Sequence, residues 1–105
     1  MTKNEIKMYI RKRINNLGVI GAYEDMVIAN AKCINEQFKH IPNTLEKQAM
    51  IINTAHSFTV DAIKSAGMTS LFRKTVFTYD DMDNVINDPI YDNLVPKILK
   101  AIKED

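Results

Sequence analysis

Three side chains in this sequence have the chemistry of metal ligands: Cys33, His40 and His56. A structural metal centre requires such groups to converge within about 2 Å of one ion. If residues 21–39 and 44–66 form a helical hairpin turning near residue 42, position 56 falls opposite about position 28. At 1.5 Å per residue, His56 then lies ~18 Å along the axis from His40 and ~7 Å from Cys33. That spacing argues against a metal centre within one chain. It leaves Cys33 as a small core residue, His40 as a helix C-terminal residue favoured by the dipole, and His56 as a hydrogen-bonded or partly exposed helix residue.

Nucleophilic chemistry finds no better footing. Ser57, Ser65 and Ser70 sit in no strand-to-helix elbow, and adjacent His56 and Ser57 point in different directions on a helix. A calcium loop needs acids at alternate positions, a glycine sixth and a glutamate twelfth. Counted from Asp81, those positions hold Ile86 and Asp92. The glycines, Gly18, Gly21 and Gly67, fit neither phosphate-cradling pattern. No cofactor is expected, and the chain reads as a non-enzyme.

The charges are informative in their distribution. Residues 1–16 carry Lys3, Lys7, Arg11, Lys12 and Arg13 against Glu5, whereas residues 75–95 carry Asp80, Asp81, Asp83, Asp88 and Asp92 with no base. The formal net charge of +1 therefore hides two opposed patches. Lys3, Lys7 and Arg11 recur every fourth residue and so share one helical face. With Lys12, and with Asp80, Asp81 and Asp83 opposite in sign, they are the candidate partner-binding residues. A second candidate is polar: Asn30 lies near the apolar stripe of its helix and, in the hairpin register above, faces Asn53 and Thr54. These three would fix packing register or line a small-ligand pocket between subunits.

The elements that position these groups are helical. Thr2 and Glu5 form a capping box ahead of Ile6, Ile10, Ile14 and Leu17, predicting a helix over about 3–16 that Gly18 stops. Tyr23, Val27, Ala31, Ile34 and Phe38 predict a second over 21–39, ended by Pro42. Asn43 with Glu46 offers a cap for a third over 44–66, apolar around a wide arc and stopped by Gly67. The short link between the last two makes an αα-hairpin. Thr75 to Tyr79 favours strand but has no partner strand, so it reads as extended or a short helix. Thr78 caps a short helix to about 87, Asp88-Pro89 opens a final one, and Pro96 must kink or restart it.

The fold class expected is all-α: a small bundle on a central antiparallel hairpin, one domain over residues 1–105. At 46% hydrophobic and 26% charged, the composition belongs to a globular chain and not a disordered one. A lone cysteine, no apolar segment following the N-terminal charges and no eighteen-residue apolar run point to the cytoplasm. Ile over Leu (14 to 5) and Lys over Arg (11 to 3) suggest AT-rich coding, as in low-GC bacteria and their phages. The function expected is non-enzymatic binding of another macromolecule, a protein with an acidic surface, by a self-associating domain for which a dimer is favoured. A phage or mobile-element protein acting on a host protein is one version. The alternatives are a nucleic-acid accessory protein using the basic helix and a small-ligand sensor. No membrane partner is expected.

Overall fold

The computed structural model describes residues 1–79 and 81–103. Its elements are α1 (Lys3–Gln37), α2 (Leu45–Ser65), α3 (Thr69–Thr75), a 3-10 helix (Met82–Asn87) and α4 (Ile90–Lys103). The fold is an all-α bundle, with no strand among the described residues. None of their helices is long and apolar enough to cross a membrane.

Gly18 divides α1 into two arms. Its φ of 77° and ψ of 173° lie in a region that side-chain-bearing residues essentially do not occupy, so the helical bonding cannot run through it. The arms fold back on each other: Ile6 and Tyr9 line the same groove as Met26 and Asn30, residues that a straight helix would place about 30 Å away. Arg13 reaches Asp25 across the break at 2.9 Å. A Cβ added to Gly21 would stand 2.9 Å from that of Leu17, so the inside of the bend also requires a small residue. The expected break is therefore real, although the second arm resumes helix directly after Gly18.

The capping box at Thr2 and Glu5 forms as read, with both bonds at 3.2 Å. At the head of α2 the cap moves by one residue: Thr44, not Asn43, accepts from the Lys47 amide. Gly67 closes α2 with φ 70°, and the Met68 and Gly67 amides return to the Ile63 and Lys64 carbonyls. Residues 69–74, unassigned in the sequence analysis, form α3 together with Thr75, the first residue of the run read as extended or a short helix, and α3 buries Phe72. Residues 76–79 follow without regular structure, and the short helix read over 79–87 is the 3-10 helix from Met82. Asp88 starts α4 by accepting from the Ile90 amide at 3.1 Å. α4 is one helix across Pro96 and is not restarted there; Tyr91, Leu94, Ile98 and Ile102, buried on both sides of the proline, hold it against the core.

The core joins Ile10 of the first arm, Tyr23, Val27, Ala31 and Ile34 of the second, and Ile51, Ala55, Val60 and Ile63 of α2 with the apolar face of α4. Cys33 is exposed, contrary to its expected core place. His40 lies in the turn after α1, which ends at Gln37, and is exposed.

Candidate functional site

The basic face rests on the first arm of α1. With Ile10 buried and the arm fixed at both ends by the capping box and Gly18, Lys3, Lys7 and Arg11 rise on one flank. Lys3, Arg11 and Lys12 are exposed and Lys7 is half-buried. Among the described residues no ion pair engages any of the four. Arg13 differs, for it pairs with Asp25 and stacks 3.6 Å above the Tyr9 ring. Lys3 lies over the C-terminal end of α2, its Nζ 3.6 Å from where a Gly67 Cβ would stand, and the negative helix end favours its charge there. α3 packs against α1 and adds exposed Arg73 and Lys74, two cations the sequence reading left out. The same two elements carry exposed apolar side chains, Met8 on the arm and Leu71 on α3.

The acidic patch is partly committed to the fold. Asp80 lies outside the described residues. Asp83 pairs with Lys64 at 2.8 Å, and its amide donates to the Asp81 carboxylate at 2.9 Å. The Lys64 hydrogen bond and charge, with smaller help from His56 and Arg73, hold the Asp83 carboxyl below the usual carboxylate range. Both aspartates are exposed.

The polar layer is arranged differently from the expected one. The Asn30 amide donates to Thr59 Oγ1 at 2.9 Å, and that hydroxyl donates to the Ala55 carbonyl. Asn53 is exposed and Thr54 half-buried, and neither is the partner of Asn30. Asn30 and Thr59 sit within one chain, on the floor of a half-open groove of about 260 Å³ lined by Met1, Ile6, Tyr9 and Phe58. Because the two polar groups satisfy each other, the groove makes no demand for a ligand.

The most concentrated chemistry lies elsewhere in the interior, where His56, expected as a hydrogen-bonded or partly exposed helix residue, is buried and bonded to partners its sequence neighbours do not indicate. Tyr23 from α1, His56 from α2 and Tyr91 from α4 join polar tips: His56 Nδ1 is 3.1 Å from the Tyr23 hydroxyl and 2.9 Å from that of Tyr91, and the two hydroxyls bond each other. Comparison with known proteins gives this cluster no precedent to borrow. No family model matches the chain, nor does any curated protein or solved structure. Burial, more than the neighbouring Tyr91 and Asp88, pushes the Tyr23 phenol far above its ordinary value. Burial likewise pushes Tyr91 up to about 12, and it lowers His56 against the opposing pull of Asp83 and the Met82 backbone. Both phenols are therefore neutral at physiological pH, which suits hydrogen bonding and disfavours nucleophilic use. The one signal available in the sequence was a histidine on an apolar helix face, three residues before Thr59 and seven before Ile63; a buried polar tip needs a partner.

Proposed function

We propose that this chain is a non-enzymatic, cytoplasmic interaction protein that binds an acidic protein surface through the first arm of α1 and the adjoining α3. The observation carrying this reading is the run of cations without an ion pair, Lys3, Lys7, Arg11 and Lys12, on the first arm, together with exposed Arg73 and Lys74 on α3, which packs against α1, and with Met8 and Leu71 as exposed apolar side chains of the same elements. Interfaces combine such anchors with a charged rim that steers the partner and selects it. The Ile- and Lys-rich composition supports a phage or mobile-element product that modifies a host protein. Asp81 and Asp83 form the second surface to test.

Replacing Lys3, Lys7 and Arg11 together with Glu is expected to weaken partner binding at least tenfold, measured on the partner recovered by pull-down from the source cells. The helical spectrum should remain unchanged, since exposed charges contribute only about 0–1 kcal/mol each to folding. Full binding by the triple variant would reduce the face to a solvated one. The same cations also suit nucleic acid, and salt separates the two: duplex binding through about three phosphates gives a log-log slope near −2.7 for any sequence. An acidic protein partner is selective instead.

The reading includes self-association, with a dimer favoured. Leu45 and Phe58 on the outside of α2 are 81% and 53% exposed, and apolar side chains of that size gain from being covered. Light scattering is expected to exceed the 12.0 kDa of one chain as concentration rises. A constant monomer mass removes the dimer.

A further inference from the structure

His56 stands on α2 where three other elements meet. Its Nδ1 faces Tyr23 of α1 and Tyr91 of α4, and the Met82 backbone of the 3-10 helix lies near enough to favour a proton on the ring. With both tyrosine hydroxyls gathered at Nδ1, the neutral ring accepts there and carries its proton on Nε2. The tyrosine rings stand edge-on to each other, and the His56 ring meets Tyr91 edge-on at 5.8 Å.

The charged groups around this cluster come from every packed element. The 3-10 helix brings Asp83, itself paired with Lys64 of α2 and near Arg73 of α3. The start of α4 brings Asp88, whose charge acts on both tyrosines. Asp83 favours a protonated imidazole, but burial opposes it more strongly and the outcome is a lowered affinity for protons.

A donor count shows what a proton does here. With His56 neutral, one hydroxyl donates to Nδ1 and the other donates to the first hydroxyl's oxygen, so every proton has an acceptor. With a proton on Nδ1, that acceptor disappears and becomes a third donor. Each hydroxyl can then donate only to the other, and both cannot do so at once. One buried O–H is left without an acceptor beside a buried cation, and both are costly.

We propose that the Tyr23–His56–Tyr91 cluster is an acid-sensitive latch that releases the 3-10 helix and α4 from the α1–α2 pair when His56 takes a proton. Release involves this part of the chain because, beyond the cluster, its polar ties to α1 and α2 among the described residues are few. They are the exposed Lys97–Glu24 and Lys64–Asp83 pairs and one bond from Asn35 to the Ile102 carbonyl; the rest is apolar packing by Met82, Leu94, Ile98 and Ile102, with Ile86, Ile90, Val95 and Leu99 beside them. The α1–α2 pair keeps its own core of Val27, Ala31, Ile34, Ile51, Ala55 and Ile63. Opening bares the apolar face around Tyr23 and Val27, so acid would exchange a closed bundle for one presenting a fresh apolar surface.

The test is backbone hydrogen exchange on the intact chain from pH 7.5 to 5.0, corrected for the intrinsic pH dependence of exchange, with the His56 ring titrated by NMR in the same samples. Once His56 ionises freely in the open form, below about pH 6.5, the opening constant of α4 amides should rise by up to tenfold per pH unit. Amides of the α1–α2 interface should hold their protection. His56→Gln, which can still accept from a tyrosine but does not titrate here, should give a flat profile. A pH-independent α4, an equal rise in α1 and α2, or the same rise in His56→Gln overturns the latch. Should His56→Gln not fold, the native ring decides: a midpoint at or above about 6.5 in the folded chain overturns it as well.

Discussion

Asp88→Ala is expected to lower stability by about 2–4 kcal/mol, or roughly 10–25 °C in melting temperature for a domain of this size. The residue is 2% exposed, and its carboxylate is the acceptor on which the C-terminal third is organised. One oxygen accepts from the Thr78 amide at 2.6 Å, the Thr78 hydroxyl at 2.7 Å and the Tyr79 amide at 3.3 Å; the other accepts from the Ile90 amide at 3.1 Å. Alanine deprives the start of α4 of its cap, worth about 1 kcal/mol, and leaves the segment entering the 3-10 helix without its anchor. Burial alone would raise this carboxyl, but the bonds from Thr78, Ile90 and Tyr79 outweigh it and hold the group below its ordinary value. Its contribution is thus fully present above about pH 3.8 and is lost as the pH falls through the lower folded value. Asp88→Asn keeps one acceptor oxygen and should lose less than half as much. Thermal melts at pH 7 decide the matter, and a drop of under 1 kcal/mol for alanine would show that water replaces the carboxylate.

What the sequence made legible was local. The Thr2–Glu5 box and the Gly67 stop each depend on residues within a turn of one another, and both form as read. Gly18 was readable as a stop, yet nothing in its neighbours tells a reader that the chain folds back there until Arg13 and Asp25 are seen paired. Asn43 and Thr44 are adjacent cap formers, and periodicity cannot choose between them. The hairpin register failed for a different reason. Counting back from the turn assumes parallel axes, but Asn30 pairs with Thr59 while Tyr23, farther from the turn on α1, meets His56, nearer to it on α2. No single antiparallel register satisfies both pairs, so the axes cross. The buried cluster joins positions 33, 35 and 68 residues apart, a separation at which no spacing rule operates.

The short helix α3 shows the same limit, and its anchor carries the other large effect. Seven residues are too few to be helical in isolation, and its N-cap, Met68, supplies no side-chain bond, so neither periodicity nor capping announces it. What holds it is Phe72, fully buried in the core. Phe72→Ala is therefore expected to cost about 3–5 kcal/mol, because it removes a large apolar side chain and leaves a cavity that the surrounding helices fill only in part. The loss should be uneven. Amides of α3 should exchange first, since without Phe72 the segment keeps little reason to be helical, and Arg73 and Lys74 would then no longer be held in place on α3. Phe72→Leu retains most of the volume and should recover more than half of the stability. Urea unfolding measures both variants, and a cost below about 1 kcal/mol for alanine would mean that α3 is not docked. The same pair of variants bears on binding: if α3 belongs to the binding surface, affinity per folded molecule should fall with Phe72→Ala and return with Phe72→Leu. If affinity does not change with either, the first arm of α1 binds alone.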